Sequence, residues 1–126
     1  MVSPYMHGWD LDATTSGPGG ESISYLRVTV WGMEKVHAQI NLSKIISRQP
    51  NETSVEAFII SYTIDRDLGG GVHQSIIVDM IRDRAPASIT VNNLSRVEFM
   101  LVVRATSANS YVSAKAVASV ANTEPG

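Results

Sequence analysis

The chain has 126 residues, of which 44% are hydrophobic and 17% charged, enough apolar material for one globular domain with a core of its own. The formal charge is -2 and the ten Lys and Arg are scattered singly, which excludes the clustered basic surface needed to neutralise several phosphates, so nucleic acid is not an expected partner. Cysteine is absent, excluding disulfides and thiolate metal sites, and no apolar run approaches the roughly 20 residues that cross a bilayer, so direct membrane insertion is not expected.

Residues 1–21 mix Ser, Thr, Pro and Gly and end in Ser16-Gly17-Pro18-Gly19-Gly20, a composition that punctuates a chain. They are expected to form a flexible leader or linker, in which Tyr5 and Trp9 are the residues able to dock on the domain. The first residues lack the basic segment and apolar run of a secretory signal. Residues 22–121 are expected to form the domain, and 122–126 a flexible tail.

From Ser22 the pattern has period two, the mark of β-strands. Tyr25, Arg27, Thr29 and Trp31 alternate with Leu26, Val28 and Val30, predicting a strand over 23–31. Val36, Ala38, Ile40 and Leu42 alternate with His37, Gln39 and Asn41, a half-buried strand with its polar side to water. A strand over 54–64 places Phe58, Ile60 and Tyr62 on one face and Ala57, Ile59, Ser61 and Thr63 on the other. After the turn segment Asp65 to Gly71, strands follow over 75–81 and 88–91. In Leu94 to Ala105, Phe99, Leu101, Val103 and Ala105 form an inward set, with Met100, Val102 and Arg104 outward. The last strand, 111–120, turns Val112, Ala114, Ala116, Ala118 and Val120 inward. Seven strands and no amphipathic helix predict an all-β fold, a seven-stranded antiparallel β-sandwich.

Four stretches resemble the fibronectin type III family: Leu94, Phe99, Val103 and Ala105 are similar to its sixth strand, Phe58, Ile60 and Tyr62 to its third, Leu26 and Val28 to its first, and Ser113 to Val120 to its last. The second strand lacks that family's buried Trp, Phe99 stands where its corner Tyr belongs, and the spacing from Leu94 to Phe99 is a residue short. The resemblance is therefore to a divergent member, and an immunoglobulin-like or jelly-roll sandwich stays open. It implies a non-enzymatic extracellular or cell-surface module for protein recognition, adhesion or spacing, with recognition residues such as Asn109 and Tyr111 between the last two strands. No Arg-Gly-Asp is present there.

Three Asn-x-Ser/Thr triplets, at Asn41, Asn51 and Asn93, exceed the roughly one expected from composition, and make these candidate glycosylation sites on a secreted chain. Asp65-Arg66-Asp67 before three Gly lacks the six or more oxygens of a calcium site, and His7, His37 and His73 have no ligand spacing. His73, Asp79 and a Ser lack a nucleophile elbow, so no catalytic set, metal or cofactor is expected. Strict alternation predicts that Ile59, Met100, Val102 and Val117 face away from the core of one sheet, an apolar set that marks contact with another protein or a second copy, or cover by the arm carrying Trp9. Two other functions fit the same composition. One is a structural assembly subunit, of capsid, tail or pilus type, reaching a neighbour with its N-terminal arm; the other is a small lectin, for which Asp65, Asp67 and Tyr111 are the hints.

Overall fold

The computed structural model describes residues 6–28, 36–65, 72–82, 87–94 and 97–122, and within them the side-chain surroundings of 7–28, 36–61, 89–91 and 97–121. Among the described residues eight strands are formed: β1 (Met6–Ser16), β2 (Gly20–Val28), β3 (Val36–Arg48), β4 (Thr53–Asp65), β5 (Val72–Arg82), β6 (Ala87–Leu94), β7 (Val97–Ala105) and β8 (Tyr111–Asn122). A 3-10 turn, Pro50–Glu52, leads into β4.

The pairing is nested: β4 with β5, β3 with β6, β2 with β7 and β1 with β8, all antiparallel. The chain thus doubles back as one long ribbon. Rolling it up adds β3 beside β8 and β4 beside β7, which gives two four-stranded sheets in the orders β1-β8-β3-β6 and β2-β7-β4-β5. This is the strand order of a jelly roll. The expected all-β sandwich of two antiparallel sheets is present, but its topology is not that of the fibronectin type III or immunoglobulin type. Those folds keep their first two strands in one sheet, whereas here β1 and β2 lie in opposite sheets.

The core lies between the sheets and follows the alternation in sequence. Phe99, Leu101, Val103 and Ala105 of β7 are at most 1% exposed, as are Val36, Ala38, Ile40 and Leu42 of β3 and Val112 to Val120 at alternate positions of β8. Two expectations are corrected. Residues 6–16, expected in a flexible leader, are β1, an eighth strand paired with β8 from Met6 opposite Ala121 to Ser16 opposite Tyr111. Leu11 and Ala13 enter the core and Trp9 packs against it, while Asp10 and Asp12 face water. Gly20 and Glu21, from the same stretch, begin β2.

The face of β4 is also reversed. Residues directly opposite in an antiparallel pair share a face, and β4 sets Ile59 opposite Phe99 and Phe58 opposite Met100. Val55, Ala57 and Ile59 therefore point into the core, with Ile59 fully buried, and Phe58 and Ile60 point out. The resemblance of Phe58, Ile60 and Tyr62 to an inward strand fails on this register; the side chain of Tyr62 lies outside those described.

Candidate functional site

Three strands of the β2-β7-β4-β5 sheet present a grid of outward side chains. The register sets Glu21, Arg104 and Ser54 in one row, Ile23, Val102 and Glu56 in the next, then Tyr25, Met100 and Phe58, and last Arg27, Glu98 and Ile60. Phe58, Ile60, Val102 and Met100 form an apolar cluster separate from the core. Beside it on β2, Ile23 is 52% and Tyr25 49% exposed. These are the largest apolar surfaces this face gives to solvent among the described residues.

Charge frames the apolar rows at both ends. At one, Arg104 Nε donates to Glu21 Oε2 at 2.7 Å and its Nη1 donates to Glu56 Oε1 at 2.5 Å. Hydrogen bonds to Glu21 and then Glu56 hold the guanidinium above its ordinary pKa, so it stays charged at any working pH. At the other end Arg27 lies 3.6 Å from Glu98, whose carboxyl is pushed up by burial. Of these pairs only Arg104 with Glu21 is exposed on both sides, and such a pair contributes little to stability, about 0–1 kcal/mol, whereas Glu56 and Glu98 are buried carboxylates beside half-exposed guanidiniums. Their consequence is orientation: a covering surface meets apolar side chains between two polarised borders.

The predicted patch of Ile59, Met100, Val102 and Val117 is brought together only in part. Ile59 is in the core, for the register given above. Val117, 41% exposed, lies on the outer face of the other sheet, because β8 pairs with β1 and β3 and not with β7. Met100 and Val102 do share the outer face, but Val102 is only 2% exposed, so it supports the patch and does not offer contact area. Phe58 and Ile60, each 7% exposed, likewise support the patch from beneath, and Ile23 and Tyr25 give it its exposed area; sequence reasoning missed Ile23, Tyr25, Phe58 and Ile60. The signal for the first two was present, since Leu26 and Val28 facing inward place Ile23 and Tyr25 on the opposite side of the same strand.

Asn109 and Tyr111 lie at one end of the sandwich, where three connections are tied together. Gly17 N–H donates to Ser110 O at 2.9 Å, Gly19 N–H to Thr106 O at 3.2 Å, and Thr106 N–H to Glu52 O at 2.9 Å. Ser110 is fully buried; its hydroxyl donates to Ser107 O at 2.8 Å and accepts from Ser107 N–H at 3.0 Å. Arg48 Nε donates to Asn109 O at 2.8 Å, and its guanidinium stands 5.7 Å from the Tyr111 ring centroid. The loop is a fixed clasp whose polar groups are bonded within the fold, and Asn109 is exposed on it.

On the other sheet Asp10, Asp12, Ser43, Lys115 and Val117 line a shallow depression. Asn41 is exposed on that outer face and Asn51 in the 3-10 turn, whereas Asn93 lies within β6 and not in a turn, its side chain outside those described. Asp67 and the Gly run lie outside the described residues, as do the side chains of Asp65, His73 and Asp79. Among the described residues no group of three or more His, Cys, Asp or Glu is placed to hold a metal, and no helix is long and apolar enough to cross a membrane.

No family model matches the chain, and no curated protein matches it by sequence. Solved structures with a partial likeness include a chain of the Bacillus endospore appendages, a novel family of disulfide-linked pili, at 12% identity and TM-score 0.46, covering 96% of this chain and 88% of that one. The Yersinia pseudotuberculosis-derived mitogen is similar at 10% identity and TM-score 0.40, covering 98% and 90%. The CBM36-1 domain of a multidomain xylanase from the hindgut metagenome of Trinervitermes trinervoides is similar at 10% identity and TM-score 0.39, covering 94% and 99%. With every TM-score below 0.5, these likenesses carry no inference about this chain.

Proposed function

We propose that the protein is a non-enzymatic module for protein–protein recognition or assembly outside the cell, with its contact on the outer face of the β2-β7-β4-β5 sheet. The observation that carries this reading is the exposure of Ile23 and Tyr25 beside the Phe58, Ile60, Met100 and Val102 cluster. Large apolar side chains gathered on one face mark contact surfaces, whereas scattered ones do not. Covering the exposed halves of Ile23 and Tyr25 removes roughly 150–200 Å² from water, worth about 4–5 kcal/mol at 25 cal/mol/Å². That is comparable to the lower estimates of the cost of association, about 4 kcal/mol and upward, so a stable complex needs further bonds at the rim. The exposed Asn41 and Asn51, each opening an Asn-x-Ser/Thr triplet, support the extracellular setting.

A photo-crosslinking residue in place of Tyr25 tests the face in the cells that make the chain. A discrete product heavier than the chain is expected, with none from the same residue at Asp12 on the opposite sheet. Absence of a product at position 25, or equal products at both positions, overturns the assignment.

A further inference from the structure

Among the described residues β2 is an edge strand: β7 is its one neighbour in the sheet order, and the two pair without a register shift from Gly20 opposite Ala105 to Val28 opposite Val97. An edge strand turns alternate N–H and C=O groups away from its neighbour, and proteins ordinarily guard such an edge with Pro, a bulge or repelling charge. β2 contains no Pro and no bulge against β7. Its two charged residues, Glu21 and Arg27, are opposite in sign and stand three residues either side of Ser24, the midpoint of the strand.

Those positions make β2 self-complementary. We propose that β2 pairs antiparallel with β2 of a second copy about a two-fold axis at Ser24, joining two four-stranded sheets into one of eight. That register sets Glu21 opposite the second copy's Arg27 and Ile23 opposite the second copy's Tyr25, and symmetry repeats each pair. Opposite-charge pairs and aromatic with β-branched pairs are the favourable cross-strand combinations. The strand supplies backbone hydrogen bonds at the rim of the apolar face, where the proposed function needs further bonds. Arg27 keeps Glu98 and Glu21 keeps Arg104 in this arrangement, since a carboxylate accepts several donors. β1, an edge of the other sheet, lacks the property: self-pairing about its midpoint Leu11 would set the exposed Asp10 opposite Asp12 twice.

The inference shares Ile23 and Tyr25 with the proposed contact face but uses the edge of the sheet and commits to a second copy. Sedimentation equilibrium of the purified chain from about 10 μM to about 1 mM tests it, a range that detects weak dimers. Wild type is expected to dimerise reversibly. Glu21→Arg and Arg27→Glu, each turning two attractive pairs repulsive, are each expected to weaken the dimer by about tenfold or more. An equimolar mixture of the two variants is expected to recover association, because each then supplies the charge the other needs.

A monomer throughout the range overturns the pairing, as does a dimer unaffected by either swap or a mixture of folded variants that fails to recover. If either swap unfolds the chain, Ile23→Lys at the half-exposed position replaces it, and a dimer of unchanged strength is again fatal. A position-25 crosslink to a different protein, or a crosslinked dimer indifferent to both swaps, overturns the edge pairing while leaving the proposed face intact.

Discussion

One methyl group added at Gly17 should destabilise the protein well beyond its size. A Cβ built there would lie 1.6 Å from the Ser107 carbonyl oxygen, 2.6 Å from its carbon and 2.7 Å from Ser110 Oγ. Ordinary contact begins at 3.4 Å, so one of the two backbones must retreat by about 2 Å. The retreat breaks the 2.9 Å bond from Gly17 N–H to Ser110 O, a loss of about 1 kcal/mol. Overpacking of this kind adds about 1–3 kcal/mol, so Gly17→Ala should cost about 2–4 kcal/mol in all. At about 4 °C per kcal/mol for a chain of this length, the midpoint of thermal unfolding should fall by about 8–16 °C. Circular dichroism on heating measures it, with Gly8→Ala as the matched control. A Cβ at Gly8 would be 3.6 Å from Ala118 O, an ordinary contact, and its expected change is within about 2 °C. A Gly17→Ala midpoint within about 2 °C of wild type, or an equal fall for Gly8→Ala, would refute the close approach of these two loops.

Three further outcomes follow from buried groups. Ser110→Ala leaves Ser107 N–H without its acceptor inside the clasp and should cost about 1–3 kcal/mol in chemical denaturation. Ile59→Ala, at a fully buried position, should cost about 2–5 kcal/mol, whereas Val117→Ser on the outer face should stay within about 0.5 kcal/mol; similar losses would contradict the register of β4 on β7. Burial raises the Glu98 pKa above its ordinary 4.5, so the folded chain binds more protons than the unfolded one as pH rises from that value. Stability contributed by the protonated form is then lost with rising pH. Glu98→Gln should therefore raise the thermal midpoint at pH 7 relative to wild type, with the gain shrinking towards pH 4.

The parts of the fold legible in the sequence are those where one parity is apolar and the other polar. β3 and β8 are of this kind, and their inward sets are buried as the alternation requires. β7 was legible for its inward set, because Phe99 anchors one side. β4 was not, because Val55, Ala57 and Ile59 on one parity and Phe58 and Ile60 on the other are equally apolar; only the pairing of Ile59 with Phe99 decides between them. β1 escaped notice because the alternation of Trp9, Leu11 and Ala13 is short and lies in a stretch rich in Gly, Asp, Ser and Thr. Its order comes from distant partners, with Trp9, Leu11 and Ala13 opposite Ala118, Ala116 and Ala114. Membership of a sheet is likewise non-local, and for that reason Val117 faces outward as the alternation requires but on the other sheet. On the candidate site the sequence located Met100 and Val102, and its alternation sets Ile23 and Tyr25 opposite the inward Leu26 and Val28, but only the pairing of β2 with β7 brings the two sets together.

The nested pairing also dictates an order of assembly. Every strand of the β2-β7-β4-β5 sheet has been synthesised once Ala105 leaves the ribosome, but β8 is the last strand made and belongs in the middle of the other sheet, between β1 and β3. Met6 must wait for Ala121 before its pairing can close. Such distant closure slows folding, and until it happens β1 and β3 both present unpaired sides. Until β8 is made, the sides of β1 and β3 that it covers in the folded sheet lack their partner, and that backbone is what a chaperone or a neighbouring copy would meet.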